Sequence, residues 1–207
     1  MFGLDKKELQ IFKKLNTPLK IQEFLDSFPI NWEKKGETYM SPISSLKSGK
    51  MHCFEGALLA AAALWVNGEP PLILDLKAKG DDDHVIVLYK RNGYWGAISK
   101  SNHTTLRWRD PIYKTIRELA VSYFHEYLDN KFYKKGLVSF SQPFNLKKMG
   151  TGWITDEKDL HYLVEALDNA PHKRIYPAKN FKYIRRADKM ERQAARIIEW
   201  GKSNPRT

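Results

Sequence analysis

Residues 51–66 read MHCFEGALLAAAALWV, and the fold turns on what that stretch becomes. It is apolar on every side yet much shorter than a membrane span, which makes it a helix buried inside a domain. Asn67-Gly68 and Pro70-Pro71 stop it. Pro71 to Leu76 (PLILDL) then reads as a strand, and Asp83 to Lys90 (DHVIVLYK) as a clearer one, rich in β-branched residues. Asn92-Gly93 is a type I′ hairpin signal, and Tyr94 to Ser99 (YWGAIS) returns as the partner strand. The expectation is an α+β domain in which a buried, Cys-bearing helix packs on a small antiparallel sheet, with peripheral helices. With Asn92 and Gly93 at the turn, Arg91 pairs with Tyr94, and counting back sets Ser101 opposite His84.

Working outward, Asp5 to Leu15 and Thr17 to Phe28 read as short amphipathic helices, with Pro18 suited to the first helical position. Residues 28–50 have Pro, Gly and Ser too closely spaced for long elements and read as a loop. Pro111 to Leu128 reads as a helix opened by Asp110 as N-cap. Residues 129–152 read as loop and extended chain, and two further helices cover about Asp156 to Asn169 and Asp188 to Trp200. The 207 residues fit one domain (1–207), with its core at about 38–112 and a basic helical extension at 153–207.

A lone cysteine excludes an internal disulfide and suits a reducing compartment. The N-terminus carries charges at every turn and no signal-like apolar run, so the expected location is cytoplasmic, with no membrane partner. The formal charge is +11, and the stretch from His172 to Thr207 holds eleven Lys or Arg against three acids. That stretch would suit an acidic partner. Its apolar positions at spacings of three and four favour a docked helix with a solvated basic face over a nucleic-acid-binding one.

Cys53 falls at the start of the buried helix, where the macrodipole stabilises a thiolate and backbone N–H groups can hold an oxyanion. Ser48 or a neighbour would cap that helix, and Lys50 and His52 add positive potential. His84, opening a strand that packs on the helix, supplies a base in the right titration range. Together they form the nucleus of a cysteine site.

The series KMHCFEGALLAAAALW, DDDHVIVLYK, RNG, YWGAISKSN resembles the core of the transglutaminase-like superfamily, of papain-like fold, over about residues 38–112. It also resembles an uncharacterised bacterial branch with a similar HCxEGAxxAAAAL pattern. The resemblance implies attack by Cys53 on an amide or ester carbonyl of a peptide or other substrate, with His84 as base, by hydrolysis or acyl transfer and without a cofactor. Its third residue is usually an aspartate near the end of the second hairpin strand, but no Asp occurs between His84 and Arg109. Asn102 stands first for that role, Asp110 second, and Ser101 and Ser99 after them. Two other readings stay open: a non-catalytic binding protein on the same fold, and a basic nucleic-acid-binding module.

Glu55 and Lys100 are assigned to the substrate pocket, where Glu55 could pair with Lys100 or Arg107. No metal is expected: neighbours in Asp81-Asp82-Asp83-His84 point to opposite faces of a strand and cannot converge on one ion. His103, His125 and His161 have no zinc spacing and are read as ordinary.

Overall fold

A computed structural model describes residues 2–34, 36–128 and 134–199. Helix α1 (Lys6–Lys14) starts where the Asp5 carboxylate accepts from the Glu8 N–H and Glu8 answers at the Asp5 N–H. Thr17 caps α2 (Pro18–Asp26), whose proline sits at the first turn. Residues 28–50 are not all loop. Ser41 caps α3 (Pro42–Ser48), and Gly49, at φ 70°, closes it in the left-handed conformation. That Ser-Pro start and Gly stop were present in the sequence.

Helix α4 (Cys53–Val66) is buried without a break from Phe54 to Leu64, as its all-round apolar surface requires. Its cap is His52 rather than Ser48, which instead ends α3. Strands β1 (Leu72–Ala78), β2 (His84–Arg91) and β3 (Tyr94–Ile98) follow. Asn92 and Gly93 take φ 49° and 87°, and Arg91 pairs with Tyr94, the register the turn dictates.

Pro111 does not open a helix. It lies in β4 (Arg109–Tyr113), a strand at the edge of the sheet beside β3, where its missing N–H costs no ladder bond. The helix that follows is short, α5 (Ile116–Val121), and Thr115 caps it in place of Asp110. The sheet is larger than expected because β5 (Leu137–Ser141) and β6 (Phe144–Asn145) arise from the stretch read as loop, and β7 (His172–Arg174) joins them. The order is β4-β3-β2-β1-β5-β7, with β6 also on β1, and the named pairs are antiparallel. Helix α6 (His161–Asp168) begins five residues later than the sequence suggested. Helix α7 (Lys189–Ala194) is shorter and has no buried residue, so it is not the docked helix expected. Trp200 and the tail lie outside the described residues.

Strand alternation divides the apolar side chains between two cores. Ile73, Val85, Val87 and Ile98 meet α4, together with Phe12, Ile21, Leu25 and Trp153. Leu74, Leu76, Ile86, Leu88 and Ala97 face the other way, onto Leu119, Tyr123 and Tyr127. Each fully buried aliphatic or aromatic side chain contributes about 1.5–3 kcal/mol, so α4 is fixed in place by its core-facing residues. One contact sets the depth of its first turn. A Cβ at Gly56 would lie 2.5 Å from Lys100 Cβ, so only glycine lets the chain beyond β3 pass this close to the helix. No helix among the described residues is long and apolar enough to cross a membrane.

Candidate functional site

The start of α4 and the start of β2 open onto one cleft of about 640 Å³, lined by His52, Cys53 and His84 among others. Cys53 is half-buried at the first turn of α4, with its Sγ 4.0 Å from the Asp83 carbonyl. Burial opposes ionisation of this thiol, but hydrogen bonds from His52 and His84 and the charge on both rings outweigh it. The thiol is brought down from 9.0 to about 5.

His52 is placed by its own role as cap. Its Nε2–H donates to the Thr38 carbonyl at 2.7 Å, which turns Nδ1 toward the first turn of α4, 3.3 Å from the Phe54 N–H. Neutral, Nδ1 accepts from Phe54; protonated, it donates to the Cys53 sulfur. Burial works against the imidazolium, but the bond to Cys53, the thiolate charge, Glu55 and the Thr38 carbonyl lift it to about 9. Between about pH 5 and pH 9 the two groups are therefore an imidazolium–thiolate pair.

His84 is buried, with 4% of its surface exposed. Its Nε2 lies 2.7 Å from Ser99 Oγ and 3.3 Å from the Leu106 carbonyl, and Ser99 Oγ itself donates to that carbonyl at 3.0 Å. The serine proton is thus committed, so Nε2 carries the hydrogen and donates to Ser99, leaving Nδ1 for the thiol. Ser99 is held in turn by Gln22: its N–H donates to Oε1 at 2.9 Å, and its carbonyl accepts from Nε2 at 3.0 Å. Gln22 replaces the ladder partner that Ser99 lacks beyond the end of β3. Nothing in the local pattern ties Gln22 to the site, although a glutamine in the buried stripe Pro18, Ile21, Gln22, Leu25 is a legible anomaly.

The other residues considered for the third position stand elsewhere. Asn102 lines the cleft, and its carbonyl accepts from the Glu199 N–H at 2.7 Å, but its side chain has no described bond to His84. Ser101 Oγ accepts from the His103 N–H at 3.0 Å. Asp110 is exposed on β4 and accepts from Trp108 Nε1 at 2.8 Å. The partner of His84 Nε2 is therefore Ser99, because the strand register puts Ser99 on the histidine's face and Asn102 out of phase.

Glu55 is fully buried and pairs with neither Lys100 nor Arg107. It accepts from the His52 N–H (3.0 Å), Thr38 Oγ1 (2.8 Å), Asn31 Nδ2 (3.2 Å) and the Met40 N–H (3.3 Å), fixing the loop behind His52. Lys100 lines the cleft, but its ammonium donates to the Phe28 carbonyl, and burial lowers its pKa. Arg107 Nε donates to the Ser101 carbonyl at 2.9 Å, and its guanidinium pairs with Glu199 at 2.9 Å.

One group among the described residues has the spacing to hold a cation: Asp75, Asp83 and Asp168, with carboxylate oxygens within 4.8 Å of one another. Lys77 Nζ already lies 3.8 Å from Asp83 and 3.4 Å from Asp168, supplying a positive charge there. Asp83 and His84 diverge as neighbours on a strand must: the aspartate goes to this cluster and the histidine to Cys53.

No family model and no curated protein sequence matches this chain. Among solved structures, Legionella pneumophila LapG (EGTA-treated) aligns over 69% of this chain and 79% of its own, at 14% identity and a TM-score of 0.37, a distant likeness.

Proposed function

We propose that this protein is a cysteine hydrolase or acyltransferase of the transglutaminase-like, papain-like kind, acting on an amide or ester carbonyl. The observation that carries the reading is a half-buried thiol, lowered to about 5, in contact with two histidines on an open cleft. The Cys53 thiolate attacks the carbonyl carbon and forms the C–S bond. The negative charge moves to the carbonyl oxygen, toward the backbone N–H of Cys53 at the start of α4. Collapse of this adduct breaks the bond to the amine or alcohol, which leaves with a proton from the charged His84 ring that had been hydrogen-bonded to the thiolate, so that His84 is left neutral. His84 then takes a proton from the water or amine that attacks the thioester, and the thiolate departs. Ser99, held by Gln22, keeps the histidine in the tautomer this requires.

Alkylation by iodoacetamide tests the pair. The rate should follow a titration with its midpoint near 5, where the thiolate forms. In His84→Ala the midpoint should rise, because one hydrogen bond and one charge are lost. A midpoint at the ordinary value of a free thiol, or no alkylation, overturns the reading.

A further inference from the structure

The protein as a whole is basic, with a formal charge of +11, but the cleft is the reverse: among the described residues eight carboxylates line it against one lysine and the charged His52, and Lys77 behind Asp83 and Asp168 leaves the carboxylates in excess. The lysine, Lys100, is buried and committed to the Phe28 carbonyl. The carboxylates come from separate segments, among them Glu33 and Glu37 before α3 and Asp81 and Asp82 in the turn between β1 and β2. They do not sum to a balanced surface, because the positive excess lies elsewhere, much of it beyond His172. A second feature points to a ligand with donors. Asp75 lines the cleft at 2% exposure, and its Oδ1 has no hydrogen-bond partner. Trp32 also lines the cleft and is 40% exposed, an aromatic face of the kind that receives a cationic side chain.

We infer that the cleft selects a polypeptide segment carrying Lys or Arg beside the carbonyl that Cys53 attacks. A cleft with low-dielectric walls focuses the field of its own charges, so the local potential is negative although the net charge is positive. A basic side chain would bring donors to the carboxylates and lay its aliphatic stem on Trp32. This deepens the cysteine reading and rests on it, so the experiment separates the two.

The full chain is treated with methyl methanethiosulfonate (neutral) and with its trimethylammonioethyl (cationic) and sulfonatoethyl (anionic) analogues, each rate normalised to that with 2-mercaptoethanol. At low salt the normalised cation-to-anion ratio should exceed one by about tenfold or more, the range that focused fields produce. It should fall toward one at about 0.5 M NaCl, where charges are screened, and in the double variant Asp82→Asn, Glu126→Gln. Ala-Ala-Lys chloromethyl ketone should likewise inactivate about tenfold faster than Ala-Ala-Glu chloromethyl ketone. If the neutral reagent does not label Cys53, the cysteine reading itself fails. If it labels well but the ratio stays at one, the charge selection alone is overturned. A high ratio with no preference between the two peptides overturns the peptide assignment.

Discussion

Glu55 and Asp75 are both carboxylates removed from water, at 0% and 2% exposure, and the protein treats them in opposite ways. Glu55 has two backbone N–H groups, a hydroxyl and an amide aimed at it, with the His52 ring 3.5 Å away. Asp75 has the His172 ring on Oδ2 at 3.0 Å and nothing on Oδ1. Burial, and behind it the neighbouring Asp83 charge, raise Asp75 to about 6 against the pull of His172. Burial alone therefore does not set the role of an acid here; the donors built around it do. Glu55 is part of the frame that holds His52 against Cys53, whereas Asp75 keeps an oxygen in reserve at the cleft.

The largest effect that this contrast predicts is the loss of Glu55. Glu55→Ala strands the N–H groups of His52 and Met40 and the side chains of Asn31 and Thr38 together. Breaking a buried, multiply bonded charge costs about 3–5 kcal/mol, so the urea midpoint should drop sharply with little change in slope. A loss well under 1 kcal/mol would mean that water serves these donors as well as Glu55 does, and the frame would be no frame.

The same distinction between local and distant partners explains what the sequence made legible. The buried helix, the hairpin and its register follow from the all-apolar run at 54–64 and the Asn92-Gly93 turn, both short-range signals. The stripe Ile112, Ile116, Leu119 misled because a helical spacing does not disclose that the edge of β3 is waiting for a strand. In the site, Cys53 and His84 stand out by chemistry and element position. Ser99 stands behind Asn102 and Asp110 in the sequence because a serine is the weaker orienter, although the hairpin register already puts it on the histidine's face; what strengthens it is Gln22, 77 residues away, which no local pattern connects to it. His52 was read as nearby positive charge; its function as cap becomes visible only once Thr38 and Glu55 are in place.

Asp75→Asn should give the next largest effect, with the opposite sign. Its folded pKa of about 6 lies above the ordinary 3.8, so between those values the folded state binds more protons than the unfolded one. The contribution of Asp75 to stability should therefore fall as pH rises from about 4 to about 6, and stay lower above that. The two-unit shift bounds the effect at about 3 kcal/mol. An asparagine cannot ionise, and its amide can donate to His172 Nε2, whose Nδ1–H is committed to the Ala170 carbonyl at 2.6 Å. Urea melts across pH 4–7 should show that descent in the difference between the parent and Asp75→Asn, because the opposite contribution of the Cys53 thiol is common to both, and Asp75→Asn should be the more stable protein at pH 7. If the parent instead gains on Asp75→Asn as the pH rises over this interval, the idea of an underserved carboxylate is wrong.

The smallest effect separates a donor's own contribution from that of the group it serves. Thr38 Oγ1 donates to Glu55 Oε1 at 2.8 Å and accepts from Asn31 Nδ2 at 2.8 Å, while the Thr38 carbonyl separately holds His52. Thr38→Val preserves the shape and the backbone contact but removes the hydroxyl, leaving Glu55 with its remaining donors. The expected cost is about 1 kcal/mol, the net value of one hydrogen bond within a network that stays largely satisfied. Because the backbone still positions His52, the pH midpoint of Cys53 alkylation should not move. Placed in a Glu55→Ala background, Thr38→Val should cost almost nothing, since the partner is already gone, and the double-mutant cycle measures that difference directly. Equal costs in both backgrounds would show that the hydroxyl acts through Asn31 and not through Glu55, and the donors around this carboxylate would then have to be reassigned.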